Sequence, residues 1–358
     1  MIIHALSLFD GHSTLQNKVI HVNEGVVTKI EGTGFNESIA YAHVIPSFID
    51  LQIYGAAGKL LSVLPESDTI EKIYQYGVEG GVHYFQPTIA SQTKEVIYAA
   101  IDAVKAYQQS GGKGCIGLHI EGPWINVVKK GAHDANIIHA PNIKEVEDLL
   151  TYGKEYISMI TLAPEVCEPA IVDLIQEAGI VVSAGHSDAS YDFATSFLNH
   201  PIRVATHLFN AMSPLQHRAP GLVGAILNHP TAMCSLVADG YHVDFNAIKI
   251  AKKIMGERLF CITDAVTNTS SGPYQHYLSG DKYECGGILS GSALTQMQSV
   301  NNLVDKVGIT LEEAIKMCSL YPARVMQNPL LTGTIAINKK ADMLCLDNAR
   351  NIVQQIFA

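Results

Sequence analysis

The 358-residue chain is 47% hydrophobic and 16% charged, a balance that calls for an extensive buried core and leaves little room for disorder. Its formal net charge of −10 disfavours nucleic acid or an anionic membrane as a partner, so an anionic substrate would need a local cluster of positive groups. The apolar runs are too short to span a bilayer, and the length suits one large barrel with a small appendage or two medium domains.

The opening segment, MIIHALSLFDG, has no basic stretch ahead of its short apolar run, and no signal peptide is expected. Through residue 42 the chain alternates short β-like pieces with Asp10-Gly11 and Glu24-Gly25, which predicts hairpins and no helix. The pattern then changes. Eight apolar runs follow: HVIPSFIDL, GVHYFQPT, GCIGLHIE, YISMITLAP, GIVVSAGH, RVATHLF, TAMCSLVAD and RLFCITD. Eight is the number a closed (β/α)8 barrel needs. Amphipathic stretches such as TKEVIYAAIDAVKAYQQ and EPAIVDLIQEAG lie between most of them, with apolar residues at helical spacing. A Gly-rich stretch, SGDKYECGGILSGSALT, and two helix-like segments ending near Gln327 come next, and the tail GTIAINKKADMLCLD is again strand-like. The expected architecture is α/β: a (β/α)8 TIM barrel over 43–332, with a small β-sandwich made from 1–42 plus 333–358. The seven cysteines show no CxxC spacing and several fall inside apolar runs, which predicts reduced thiols in a cytoplasmic protein.

Four of these runs end on groups that carry chemistry. Glu121, His186, His207 and Asp264 close the third, fifth, sixth and eighth. Residues at the C-terminal ends of barrel strands converge on one mouth, however far apart they lie in sequence. Glu and two His are good ligands for zinc or a similar divalent ion, three protein ligands leave a position for water, and a nearby Asp can move protons. Each residue taken alone has a plainer role: Glu121 as half of an ion pair, the histidines as structural imidazoles, and Asp264, before Ala-Val, as a helix N-cap. His119 should point to the same side of its strand as Glu121 and is expected to support the ligands from behind.

Read together, LHIEGPW, GAHD, AGHSDAS, THLFNAMSPL and ITDA resemble the N-acetylglucosamine-6-phosphate deacetylases of the amidohydrolase superfamily, and the resemblance extends to GTIAINKKADMLCLD. It implies a barrel with a small β-sandwich, one or two divalent metals, removal of acetyl from a sugar phosphate, and a homodimer. The chain departs from the superfamily in having Asp50-Leu51-Gln52 where many members carry His-x-His. Glutamine is a poor ligand beside imidazole, so one metal per chain is expected on Glu121, His186 and His207, with zinc, iron and cobalt all suited. Trp124 stands where Phe is usual, and the tail is short for the family.

By the same resemblance Asp264 is the general base, and His133 contacts the substrate and polarises the acetyl carbonyl, with Ala132 beside it. Asn210 and Ala211 would meet a phosphate or hydroxyl. Arg218 and His242 are the candidates for the phosphate itself, although QHRAPG is turn-like and also suits a solvated arginine. Leu289, Ser290 and Gly291 resemble the segment that closes over the sugar. A Gly-rich surface hairpin would look the same. His4, His12, His21, His139, His200, His229 and His276 fall in no comparable pattern and are expected to be exposed or structural. N-acetylgalactosamine 6-phosphate and N-acyl amino acids are rival substrates, the second disfavoured by Arg218 with His242.

Overall fold

In the computed structural model, which describes residues 1–199, 202–328 and 331–358, the eight apolar runs form eight parallel strands. They are Phe48–Ile53, Val82–Ile89, Leu118–Glu121, Ile157–Leu162, Val181–Ala184, Val204–Ala205, Met233–Leu236 and Leu259–Cys261, hydrogen-bonded side by side in chain order. The ring closes between the last and the first. There the Asp264 N–H donates to the Gln52 carbonyl at 3.0 Å and the Tyr54 N–H to the Ala265 carbonyl at 2.9 Å. Phe48–Ile53 is buried along its whole length, which is why it reads as an unbroken apolar run and not as an alternation. Helices pack outside the ring; Lys94–Gln109, for example, buries Ile97, Ile101 and Val104 on one stripe, the spacing expected of a helix with one face on a core. Among the described residues no helix is long and apolar enough to cross a membrane.

The terminal segments meet in a six-stranded sheet. Ile2–Phe9, Thr14–Asn23 and Val26–Glu31 form the predicted hairpins, the second turn using positive φ at Glu24 (49°) and Gly25 (75°), as a two-residue hairpin loop requires. Tyr41–Pro46 runs parallel to the first strand and antiparallel to Met343–Leu346, which pairs with Ile352–Ile356. This sheet has its own apolar cluster, including Ile3, Leu8, Ile20, Val44, Met343 and Cys345. The strand Tyr41–Pro46 straddles residue 42, so the chain passes into the barrel at Phe48 without an intervening linker.

After the eighth strand, residues 266–295 leave the barrel as a three-stranded antiparallel sheet, Tyr277–Ser279, Lys282–Cys285 and Ile288–Ser292. Its last strand returns to the barrel rim, where the Ser292 N–H donates to the Asp264 carbonyl at 2.9 Å. The Tyr274 hydroxyl donates to the Ser91 carbonyl at 2.6 Å, tying the excursion to the loop after the second strand. Three helices follow in place of the two expected, Gln296–Asn302, Leu311–Cys318 and Leu320–Met326. The last two are separate because the backbone of Ser319 leaves the helical region (φ −132°, ψ −76°).

Candidate active site

Glu121 is the last residue of the third strand. His186, His207 and Asp264 lie just past the fifth, sixth and eighth, each with positive φ (52°, 37° and 55°). That conformation costs a non-glycine residue about 1–3 kcal/mol and persists only where the surroundings enforce it. They do so here: the His186 carbonyl accepts from the Asn126 N–H at 2.9 Å, the His207 N–H is held by Ser235 Oγ at 2.7 Å, and the Asp264 N–H by the Gln52 carbonyl. The turned backbone directs these side chains into one cleft of about 170 Å³, which Ala132, His133, Asn210, Ala211, His242, Leu289, Ser290 and Gly291 also line.

Glu121, 2% exposed, is the hub. Its Oε1 lies 3.0 Å from His207 Nε2 and 3.4 Å from His186 Nε2, and its Oε2 lies 3.2 Å from His133 Nε2. The two His Nε2 atoms past the fifth and sixth strands are 3.2 Å apart. Burial alone would push this carboxyl up, but His186, His133 and His207 outweigh it and hold Glu121 well below the usual carboxylate range.

The other ring nitrogens assign the protons. His186 Nδ1 donates to the Lys129 carbonyl at 2.9 Å and His207 Nδ1 to the Asn210 carbonyl at 3.2 Å, so in the neutral rings both Nε2 atoms present lone pairs. A carboxylate oxygen and two lone-pair nitrogens facing one another need a cation between them, and the set fits a divalent metal. His133 has the opposite tautomer. Its Nδ1 accepts from the Ser91 N–H at 3.3 Å and lies 2.7 Å from Ser91 Oγ, which leaves Nε2–H as a donor. Burial, with His186, pushes the His133 imidazolium down to about 4, so the ring is neutral at physiological pH. Glu121, His133 and His186 also bring ligand atoms within 4.8 Å of one another, but on this tautomer His207, not His133, completes the lone-pair set.

Asp264 is buried, and burial raises its pKa against the pull of His242 and His207. Gln52 Nε2 carries two N–H groups and lies 2.7 Å from the Tyr54 hydroxyl, 3.0 Å from Asp264 Oδ1 and 3.1 Å from Glu121 Oε1, so one N–H goes to Tyr54 and the other is shared between the two carboxylates. Its carbonyl oxygen accepts from Thr206 Oγ1 at 2.5 Å. With its amide so engaged, Gln52 joins the metal-ligand candidate to the base candidate. His242 Nδ1 donates to Asp239 Oδ2 at 2.6 Å, and its Nε2 lies 3.6 Å from Asp264 Oδ2.

Several expectations are modified. Arg218 does not line the cleft of its own chain. It is exposed in a turn closed by Gln216 and Ala219 backbone bonds of 3.1 and 3.2 Å, so it and His242 do not face one anion within a single chain. His119 spends both ring nitrogens on the Leu51 carbonyl at 3.0 Å and Thr161 Oγ1 at 2.8 Å, linking strands behind the cleft, and so makes no hydrogen bond to Glu121. Trp124 is buried away from the cleft, its Nε1 donating to Glu145 at 3.1 Å. His276, expected to be exposed or structural, is 5% exposed and lines the cleft, with Nδ1 2.8 Å from Ser290 Oγ. His200 lies outside the described residues. Sequence reading missed Tyr54 and Tyr274 altogether. Tyr54 carried a usable signal: it lies two residues beyond Gln52, on the same side by strand alternation.

Residues 43–358 match the amidohydrolase family. An N-acetylglucosamine-6-phosphate deacetylase of Haemophilus influenzae is 32% identical over 310 residues, covering 83% of this chain and 80% of its own. An N-acetylgalactosamine-6-phosphate deacetylase of Escherichia coli O157:H7 is 29% identical over 370 residues, 99% of this chain and 97% of its own. The crystal structure of N-acetylglucosamine-6-phosphate deacetylase from Pasteurella multocida superposes with a TM-score of 0.91 at 29% identity, covering 100% of this chain and 98% of that one. The chain belongs to the amidohydrolase family and, within it, to the N-acetylglucosamine-6-phosphate deacetylases.

Proposed function

We propose that the protein hydrolyses the acetamide of N-acetyl-D-glucosamine 6-phosphate to D-glucosamine 6-phosphate and acetate, a step of amino-sugar catabolism. The observation that carries the reading is the facing set of Glu121 and two lone-pair imidazoles with a neutral N–H donor, His133, and a buried carboxyl, Asp264, in the same cleft. A divalent cation held by Glu121, His186 and His207, zinc in this reading although iron and cobalt suit the same donors, would supply Lewis acidity to a water molecule and to the acetyl carbonyl.

Asp264 accepts the proton of the attacking water and returns it to the nitrogen as the C–N bond breaks and the new C–O bond forms, so atoms and charge balance. Its basicity, raised by burial, fits that task; with the Gln52 N–H on Oδ1, Oδ2, which faces His242 Nε2 at 3.6 Å, is the oxygen assigned to proton transfer. His133 donates Nε2–H to the acetyl oxygen as negative charge develops there. Asn210, Ala211 and His242, on the loops after the sixth and seventh strands, take the phosphate. Ala132, Leu289, Ser290 and Gly291 close around the sugar.

The homodimer implied by family membership belongs to this reading, with Arg218 reaching a phosphate in the neighbouring subunit; its exposure outside its own cleft supports that direction. The cytoplasmic setting rests on the cysteines, all of them free. Acetate release from N-acetylglucosamine, N-acetylgalactosamine and their 6-phosphates tests the proposal. Release from N-acetylglucosamine 6-phosphate above all others is expected; no release from either phosphorylated sugar would sink it.

A further inference from the structure

We propose that Tyr54 is a positioning residue for Glu121, its hydroxyl fixing one carboxylate oxygen so that His133 can leave that oxygen for the substrate. The inference rests on the roles given above to Glu121 and His133. Tyr54 follows the first barrel strand, is 7% exposed, and packs its ring with Leu60, Ala90, Val266 and Tyr274. Its hydroxyl bonds Glu121 Oε2 and receives an N–H from Gln52 at 2.7 Å. A hydroxyl has one proton. Because the Gln52 amide donates into the phenol oxygen, the phenol proton is free to go to the carboxylate.

The carboxylate is thereby divided. Oε1 faces His186 and His207 and takes a Gln52 N–H, while Oε2 takes Tyr54 and His133. His133 cannot donate one Nε2–H to Glu121 and to an acetyl oxygen at once. When it turns to the substrate, Oε2 would lose a partner in a buried site, and the terminal torsion of a glutamate is soft. Tyr54 is the donor that remains. It holds the carboxylate plane and keeps Oε1 toward the imidazoles.

Tyr54→Phe keeps the ring and deletes the hydroxyl. The zinc affinity of the apoprotein should fall about 10- to 100-fold, the range seen when a hydrogen-bond partner of a ligand is lost. The visible spectrum of the Co²⁺-substituted protein should change, and kcat should drop while KM for the sugar phosphate holds. Zinc affinity and cobalt spectrum both matching the parent would overturn the proposal. So would a fall in apoprotein Tm equal to the fall with zinc, since a packing defect acts on both. Tyr54→Gln loses the ring but keeps a donor. It should bind zinc more tightly than Tyr54→Phe, and the reverse order would count against the hydroxyl's role. Zinc affinity is read without substrate, so a failure of the deacetylase reading, no acetate from any sugar phosphate, is distinguishable from a failure of this one.

Discussion

Asp264→Asn isolates proton transfer from everything else the carboxylate does. Asparagine has the same shape, tolerates the left-handed backbone that Asp264 adopts (φ 55°), and can still accept the Gln52 N–H that now bonds Oδ1 at 3.0 Å. What it lacks is a basic oxygen facing the cleft. Burial makes Asp264 a stronger base than an exposed aspartate, and a positioned general acid/base contributes about 10²- to 10⁴-fold. At 1.36 kcal/mol per decade that is about 2.7 to 5.4 kcal/mol of barrier. The assay is steady-state acetate release from N-acetylglucosamine 6-phosphate, alongside metal content and substrate affinity. The variant should keep its metal and bind substrate while kcat falls within that range. A kcat within about tenfold of the parent, below the usual contribution of such a group, would move the role to another residue, and loss of metal would make Asp264 part of the metal site instead.

Elemental analysis should find about one tightly held divalent metal per chain, because the Gln52 amide is already spent on Tyr54, Glu121, Asp264 and Thr206 and is a poor ligand in any case; two equivalents, both needed for activity, would contradict this. His186→Ala and His207→Ala should lose metal and activity together with the far-UV circular dichroism preserved, since both lie at the rim and not in the barrel interior. Arg218→Ala should cut kcat/KM on the phosphorylated sugar by about ten- to a hundredfold, the worth of a charge-assisted contact, and spare the unphosphorylated sugar. Mixing that chain with Asp264→Asn should restore some activity in heterodimers, and no restoration would exclude action across the interface. For His276 the folded pKa, pushed down to about 4 by burial, lies below the unfolded value of 6.5, so the unfolded chain binds more protons as pH falls between them. Stability should decline over that window by up to about 3 kcal/mol from this residue. Thermal melts of His276→Gln from pH 7.5 to 4.5 should show a shallower decline than the parent, and parallel curves would refute the assignment.

The barrel and the hub of the site were legible for one physical reason: buried parallel strands are written as unbroken apolar runs, and whatever follows each run converges on one mouth. That rule alone brings Glu121, His186, His207 and Asp264 together, and the cleft contains all four. Groups placed by turns and excursions were not legible in the same way. Whether QHRAPG points into the mouth or away from it depends on a turn that its residues permit in either orientation, and the turn carries Arg218 outward. His276 arrives through the sheet after the eighth strand, in a stretch with no periodicity to place it, and His242 meets Asp264 only because the seventh and eighth strands are neighbours. The backbone adds a further limit. Positive φ is uncommon outside glycine, with Asn, Asp and His the residues that adopt it most often, and His186, His207 and Asp264 all occupy that region. At His207 and Asp264 the conformation is held by the surrounding bonds from Ser235 and Gln52. Residue type at these sites therefore reports the chemistry, while the conformation that aims it is imposed from outside the segment.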